Sequence, residues 1–380
     1  MENPVGRTRL ISIAAIIAAG AVTLAACSSS GTKNPGTTDT SSSTGGSTTS
    51  APTTNCPSGG TLSADGSSAQ ANAMTSWATA YQKACPGVTV NYTSTNSGQG
   101  VADFIAGKIG FGGSDSALNP TAGEPAKATT ECGSPALDIP MVTGPIAIGY
   151  NVAGVSDLTL NATVLAKIFT GKITTWNDPA IKALNSSVTL PSAPISVFFR
   201  SDASGTNKNF EKYLNSNDAT DFNFTPDKPW PAKTGSGEVG SAKVASSVKA
   251  ATNSIGYMEW SYAGNAGLNV AKIDNGAGAV ALTPATVGTF VAAAQVVGTG
   301  QDLSLKIDYT AKTPNGYPID LVTYELVCSK YKDASTGALV KSFLTFTSSA
   351  AQQNSLPSQG YAPLPASILT KVQAVVATIS

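Results

Sequence analysis

Apolar and polar positions along the chain fall into a recurring order: a short alternating stretch, a turn rich in Gly and Ser, then a longer stretch with apolar residues three and four apart. Thr61 to Ala64 is extended and leads into Asp65-Gly66-Ser67-Ser68; Ala69 to Ala84 then carries Met74, Trp77 and Tyr81 at helical spacing, and Pro86 ends it. Val88 to Tyr92 alternates as a strand. A second Gly-rich turn, Thr95 to Gly100, precedes a short helix over Val101 to Ala106, and Ile109 to Asp115 reads as a strand ending in Gly-Ser-Asp. Further strands are predicted at 145–151, 195–200, 254–260 and 321–328, with helices at 164–169, 207–214, 336–346 and 366–379. Strands alternating with helices predict an α/β fold with a largely parallel sheet, its functional turns at the carboxyl ends of the strands. No fixed-period repeat is present, which argues against a solenoid.

The pattern fails over the first sixty residues. Arg7 and Arg9 precede an uncharged apolar run from Leu10 to Ala26, the order of a signal peptide. It ends Leu24-Ala25-Ala26-Cys27, which resembles the lipobox of bacterial lipoproteins and implies cleavage before Cys27 and acylation of its thiol; the competing reading is an uncleaved anchor helix. Residues 27–55 are nearly all Ser, Thr, Gly, Ala and Pro, with Lys33 and Asp39 the only charges between Ser28 and Asn55. Such a segment cannot bury enough apolar surface to fold and is predicted to be a disordered tether. An extracytoplasmic protein, lipid-anchored to the cell membrane, is expected.

Composition narrows the chemistry. Only 46 of 380 residues are charged, 23 of each sign, and there is no histidine. A neutral, charge-poor chain has no footprint for nucleic acid, and the missing imidazole counts against triad hydrolases and zinc or iron sites. No cofactor is expected. Lys233-Thr-Gly and Ser246-Ser-Val-Lys249 superficially match penicillin-binding signatures, but in the wrong order and without Ser-Asp-Asn. Setting Cys27 aside leaves Cys56, Cys85, Cys132 and Cys328, an even number suited to two disulfides outside the cytoplasm, for which spacing leaves three pairings open.

Three turns stand where a strand runs into a helix: Gly66-Ser67-Ser68, Asn96-Ser97-Gly98 and Ser204-Gly205-Thr206. Helix starts present unpaired N–H groups and the positive end of the helix dipole, and neighbouring hydroxyls add donors, so three of them on one sheet suggest a shared oxyanion pocket. Each alone could be an ordinary cap. Arg200 ends an apolar strand just before the third turn, where a guanidinium can bind an oxyanion in a bidentate manner, and Asp202 could orient it. Asp115 looks misplaced beside an anion; its plain reading is a turn aspartate.

The runs Ala64-Asp-Gly-Ser-Ser-Ala-Gln70, Ser97-Gly-Gln-Gly100, Phe111-Gly-Gly-Ser-Asp115, Ala166-Lys-Ile-Phe-Thr-Gly-Lys-Ile-Thr-Thr-Trp-Asn-Asp-Pro179, Arg200-Ser-Asp-Ala-Ser-Gly-Thr206 and Gly256-Tyr-Met-Glu259 occur in this order across residues 60 to 370. Together they resemble the phosphate-binding protein of ABC-type phosphate transporters, most closely its actinobacterial lipoprotein form. The resemblance implies a two-domain Venus-flytrap fold of the type II periplasmic-binding-protein class, each domain a mixed, mostly parallel sheet flanked by helices. Domain I would comprise residues 57–142 plus 321–380, and domain II residues 143–320. It implies a phosphate site of Ser68, Ala69 (through its backbone), Ser97, Asp115, Arg200, Ser204, Gly205 and Thr206, with Asp202 orienting Arg200. It also implies a monomer that binds inorganic phosphate without catalysis and delivers it to permease subunits for import. A site that bonds a ligand OH rejects the analogue lacking it by about 10⁴–10⁵, which gives Asp115 a role: it would accept the proton that phosphate keeps and sulfate lacks. Receptors for sulfate or molybdate, and an added adhesion role, are the alternatives. The implied topology favours Cys56–Cys85 and Cys132–Cys328 as the disulfides.

Overall fold

A computed structural model describes residues 55–380. The expected signal peptide at 1–26, the lipidation site Cys27 and all of the tether but Asn55 lie outside the described residues. The main sheet is built from β1 (Gly60–Gly66), β2 (Val88–Ser94), β3 (Phe111–Ser114), β4 (Ala136–Asn151), β5 (Ser196–Arg200), β6 (Ser236–Glu238), β7 (Ser254–Glu259) and β8 (Asp320–Cys328), in the order β2-β1-β3-β8-β4-β7-β5-β6. The outer pairs on each flank are parallel: β1 with β2 and β3, and β5 with β6 and β7. The two long central strands run antiparallel to their neighbours. The sheet is therefore mixed, where the alternation of strands and helices predicts a largely parallel one. The difference arises because β4 and β8 run through the middle antiparallel to each other and to the strands beside them.

β4 begins at Ala136, well before the strand predicted at Pro145, and is buried along nearly all of its 16 residues. Both faces being covered, its residues are buried continuously instead of alternately, Asp138 and Thr143 among them. Its first half pairs with β8 up to Pro145↔Asp320, and its second half, from Ile146, pairs with β7. β4 is thus one strand shared by two wings: β1, β2, β3 and β8 on one side, and β5, β6 and β7 on the other. Between Thr323 and Tyr324 the register slips, passing from Val142 to Pro140. A bulge of this kind accommodates a proline, which has no N–H for the ladder.

Five helices frame the site: α1 (Ala71–Ala84), α2 (Ser97–Ile105), α3 (Gly205–Asn217), α4 (Ser241–Ala250) and α5 (Ala334–Thr347). α1 buries Met74, Trp77 and Tyr81, as their spacing predicts, and Tyr81 packs edge-on against Phe343 of α5 at 5.2 Å between ring centroids. Such aromatic pairs contribute about 0.5–1.5 kcal/mol beyond burial. α2 starts at Ser97, four residues earlier than its apolar residues indicate, because Asn96 caps it by accepting from the Gln99 N–H at 2.9 Å. Its glycines serve packing, not a turn: a Cβ on Gly100 would stand 2.6 Å from the Gly113 carbonyl oxygen. Disulfides join Cys56 to Cys85 and Cys132 to Cys328. Among the described residues no helix is long and apolar enough to cross a membrane.

Candidate functional site

The three turns singled out in the sequence converge where the two wings face each other. On the β1 side, the chain leaves β1 through Ser67 and Ser68 toward α1, and leaves β3 through Asp115. On the opposite side, β5 ends at Arg200 and α3 begins at Gly205, with Ser204 as its N-cap accepting from the Thr206 N–H at 3.1 Å. The wings touch directly. The Gly98 N–H donates to the Ala203 carbonyl at 3.1 Å, and Asn209 Nδ2 of α3 donates to the Asp115 carbonyl at 2.6 Å.

Arg200 is 1% exposed and each of its three guanidinium nitrogens is bonded. Nε and Nη2 donate to the two carboxylate oxygens of Asp202 at 2.7 and 2.5 Å. Nη1 reaches Ser68 Oγ across the interface at 3.0 Å, Ser241 Oγ at the start of α4 at 2.8 Å and Thr206 Oγ1 at 3.5 Å. Burial works against the guanidinium charge, but the bonded carboxylate of Asp202 and the charge of Glu259 raise its pKa above the ordinary value. Burial likewise acts against the Asp202 carboxylate, and the bonds and charge of Arg200 overcome it, leaving its pKa lowered. Beneath Arg200 lies an aromatic cluster. Tyr257 OH accepts from the Arg200 N–H at 3.2 Å and donates to Asn207 Oδ1 at 2.6 Å, and its ring packs on Phe210 and Trp230. The cation is fixed in position with its Nη1 edge turned toward hydroxyls.

Asp115 is the acidic counterpart, also buried. Its carboxylate accepts from Ser67 Oγ at 2.5 Å, Ser97 Oγ at 2.9 Å and Thr323 Oγ1 at 2.8 Å. Burial, and then the charge of Glu259, push its carboxyl up to about 6, while the three hydroxyls act in the opposite sense. Gly205 sits against it so closely that a Cβ there would lie 2.5 Å from both the Asp115 Cβ and Ser97 Oγ. Thr206 Oγ1 donates to Glu259 Oε1 at 2.5 Å, and Glu259 Oε2, buried, has no hydrogen-bond partner among the described residues.

Of the residues expected from sequence, Ser68, Arg200, Asp202 and Thr206 form one hydrogen-bonded group, and Ser97, Asp115 and Gly205 form a second in contact with it through α3. Ala69 is buried behind them, and its N–H donates to Ser67 Oγ at 3.0 Å. Sequence reasoning missed Ser67, Ser241, Glu259 and Thr323. Glu259 lies in the Gly256-Tyr-Met-Glu259 run that carried part of the resemblance, so a signal for it existed. Ser241 and Thr323 had none, since they reach the site only through folding. The chemistry available is a fixed cation, many neutral donors and two buried carboxylate acceptors, Asp115 and Glu259. Among the described residues no group of three or more His, Cys, Asp or Glu side chains is placed to hold a metal ion.

The chain resembles known proteins over most of its length. A family model described as a PBP superfamily domain matches residues 38–351. The phosphate-binding protein PstS2 of Mycobacterium bovis is 45% identical over 323 residues, covering 84% of this chain and 87% of that protein. The phosphate-binding protein PstS 3 of Mycobacterium leprae is 45% identical over 316 residues, covering 82% and 85%. Among solved structures, the high-affinity periplasmic phosphate-binding protein PfluDING, bound with phosphate, superposes with a TM-score of 0.69 at 23% identity, covering 83% of this chain and 93% of that one. At that identity the likeness speaks for the fold alone.

Proposed function

Because the chain belongs to the PBP superfamily and, within it, to the family of phosphate-binding proteins of ABC transporters, with their type II fold, we propose that it binds inorganic phosphate between Arg200 and Asp115 and delivers it to a membrane permease. It is a substrate-binding protein, not an enzyme. The observation that carries the site is the pairing of a guanidinium held in place by Asp202 with a buried carboxylate, both flanked by hydroxyls. Arg200 supplies positive charge in a fixed orientation, so little ordering is needed when the anion arrives. Ser68, Ser97, Ser204, Thr206 and the N–H groups at the start of α1 and α3 would replace its water, with the helix dipoles adding to the field. The proton that phosphate retains near neutral pH would be donated to Asp115.

The two wings would act as the domains of a flytrap, residues 57–142 plus 321–380 against 143–320, closing on the anion about β4 and β8. Cys27 would carry the lipid that holds the protein at the outer face of the cell membrane. The tether of about thirty residues would then let it range on the order of 30 Å. The protein would work as a monomer beside its permease. Titration calorimetry of the chain from Asn55 onward, which keeps the Cys56–Cys85 disulfide, with phosphate, sulfate and arsenate tests the reading. Phosphate and arsenate should bind and compete while sulfate is excluded. Sulfate binding as tight as phosphate would favour a general oxyanion receptor instead.

A further inference from the structure

A cavity of about 640 Å³ lies beside the site, between α3 and the loop after Asp115. Lys208 and Lys212 of α3 and Lys306 of the short strand Leu305–Lys306 line it, together with Asp115, Asn119 and Tyr309. Lys208 and Lys212 are half-buried one helical turn apart, a spacing at which like charges repel. Among the described residues, none of the three ammonium groups forms an ion pair or a hydrogen bond. Burial, and then the charge of Lys208, lower the Lys212 pKa to about 8. In the cavity lining three lysines outnumber the one carboxylate, Asp115. Glu211, next on the helix, is driven up to about 8 by burial. Asp308 lies by Lys306, and Glu124 and Asp227 lie by Lys228, a fourth cation that also feels Lys208. In a chain with only 23 basic residues, three unpaired ones around one cavity abutting the anion site is a concentration of charge without a structural use.

We infer that this cavity is an outer station for oxyanions: it gathers inorganic phosphate at low affinity through Lys208, Lys212 and Lys306 before the anion passes Asp115 into the buried site. The inference rests on the phosphate-binding reading above. A mobile lysine holds an anion as a point charge without the rigid fork of Arg200, so the outer contact is weak and readily released. Positive charge at the mouth of a low-dielectric cleft raises the association rate of an anion by about 10- to 1000-fold, and salt screens the effect.

Stopped-flow tryptophan fluorescence with inorganic phosphate tests this, with Trp230 packed under Arg200 by way of Tyr257 as a reporter. In the unaltered protein the association rate should fall as sodium chloride is raised. The double variant Lys208→Gln with Lys212→Gln should lose about tenfold in association rate at low salt, flatten the salt dependence, and keep its dissociation rate within about twofold. Lys306→Gln, at an exposed position where misfolding is not a concern, should show a smaller change of the same kind. Association rates and salt dependence unchanged in both variants would overturn the inference while leaving phosphate binding intact. No phosphate response in the unaltered protein would overturn the binding reading, and the outer station with it.

Discussion

In the proposed site Asp115 would set selectivity, as the acidic counterpart of the Arg200 cation. Its three hydroxyl donors occupy the carboxylate, so an incoming ligand oxygen must itself bring a proton or face a like charge. Removing the charge but keeping the shape removes that demand. Asp115→Asn should therefore narrow the phosphate-over-sulfate affinity ratio from about 10⁴–10⁵ by roughly a hundredfold or more. Competition calorimetry measures it, and an unchanged ratio would relocate the selectivity elsewhere. The pairing of Arg200 with Asp202 was legible in the sequence, because a charged residue at the end of an apolar strand has few reasons to be there. Ser67 was not: it neighbours Ser68 in the same turn, and only the fold shows that Ser67 faces Asp115 while Ser68 faces Arg200.

At the scale of elements, the strand–turn–helix units could be read because their apolar residues keep period and their turns carry small residues. The interior strands were harder. β4 is buried on both faces, so its first nine residues show no alternation to mark them, and its antiparallel course depends on partners far away in sequence. α2 was misplaced for a different reason: its glycines look like a turn but serve the close approach of helix and strand. Gly205 raises the same issue at the site. Its helical backbone needs no glycine, yet the space beside Asp115 does. Gly205→Ala should leave the ligand-free melting temperature unchanged or raised, since alanine favours a helix. In the closed arrangement the added methyl overpacks the interface, costing about 1–3 kcal/mol, roughly 5- to 150-fold in phosphate affinity. Full affinity in this variant would show that the contact relaxes at no cost.

For the whole molecule, scarce charge and buried acids set the response to pH. Burial pushes Asp138, Glu211 and Glu325 each up to about 8, with Asp302 next in importance at Asp138. An unfolded carboxyl titrates near 4, so between about pH 4 and 8 the folded form holds protons that the unfolded form has lost. Stability is then lost as pH rises through that window. The ligand-free melting temperature should fall from pH 5 to pH 8, and Glu325→Gln should flatten part of that slope; a slope unaltered by the substitution would place its origin in other groups. Mechanically, the shared strand sets how the wings can part. β4 and β8 form a doubled ribbon with no loop in it where a free pivot could form. Such a ribbon is a leaf spring: it resists flexing, stores elastic energy when bent, and returns to its preferred curvature when let go. The register slip beside Thr323 is its softest point, and the Thr323 hydroxyl rests on Asp115. Under the proposed function, force applied at the far ends of the wings would be transmitted to the carboxylate that receives the ligand proton, so a transporter gripping both ends could loosen the anion without reaching into the cleft.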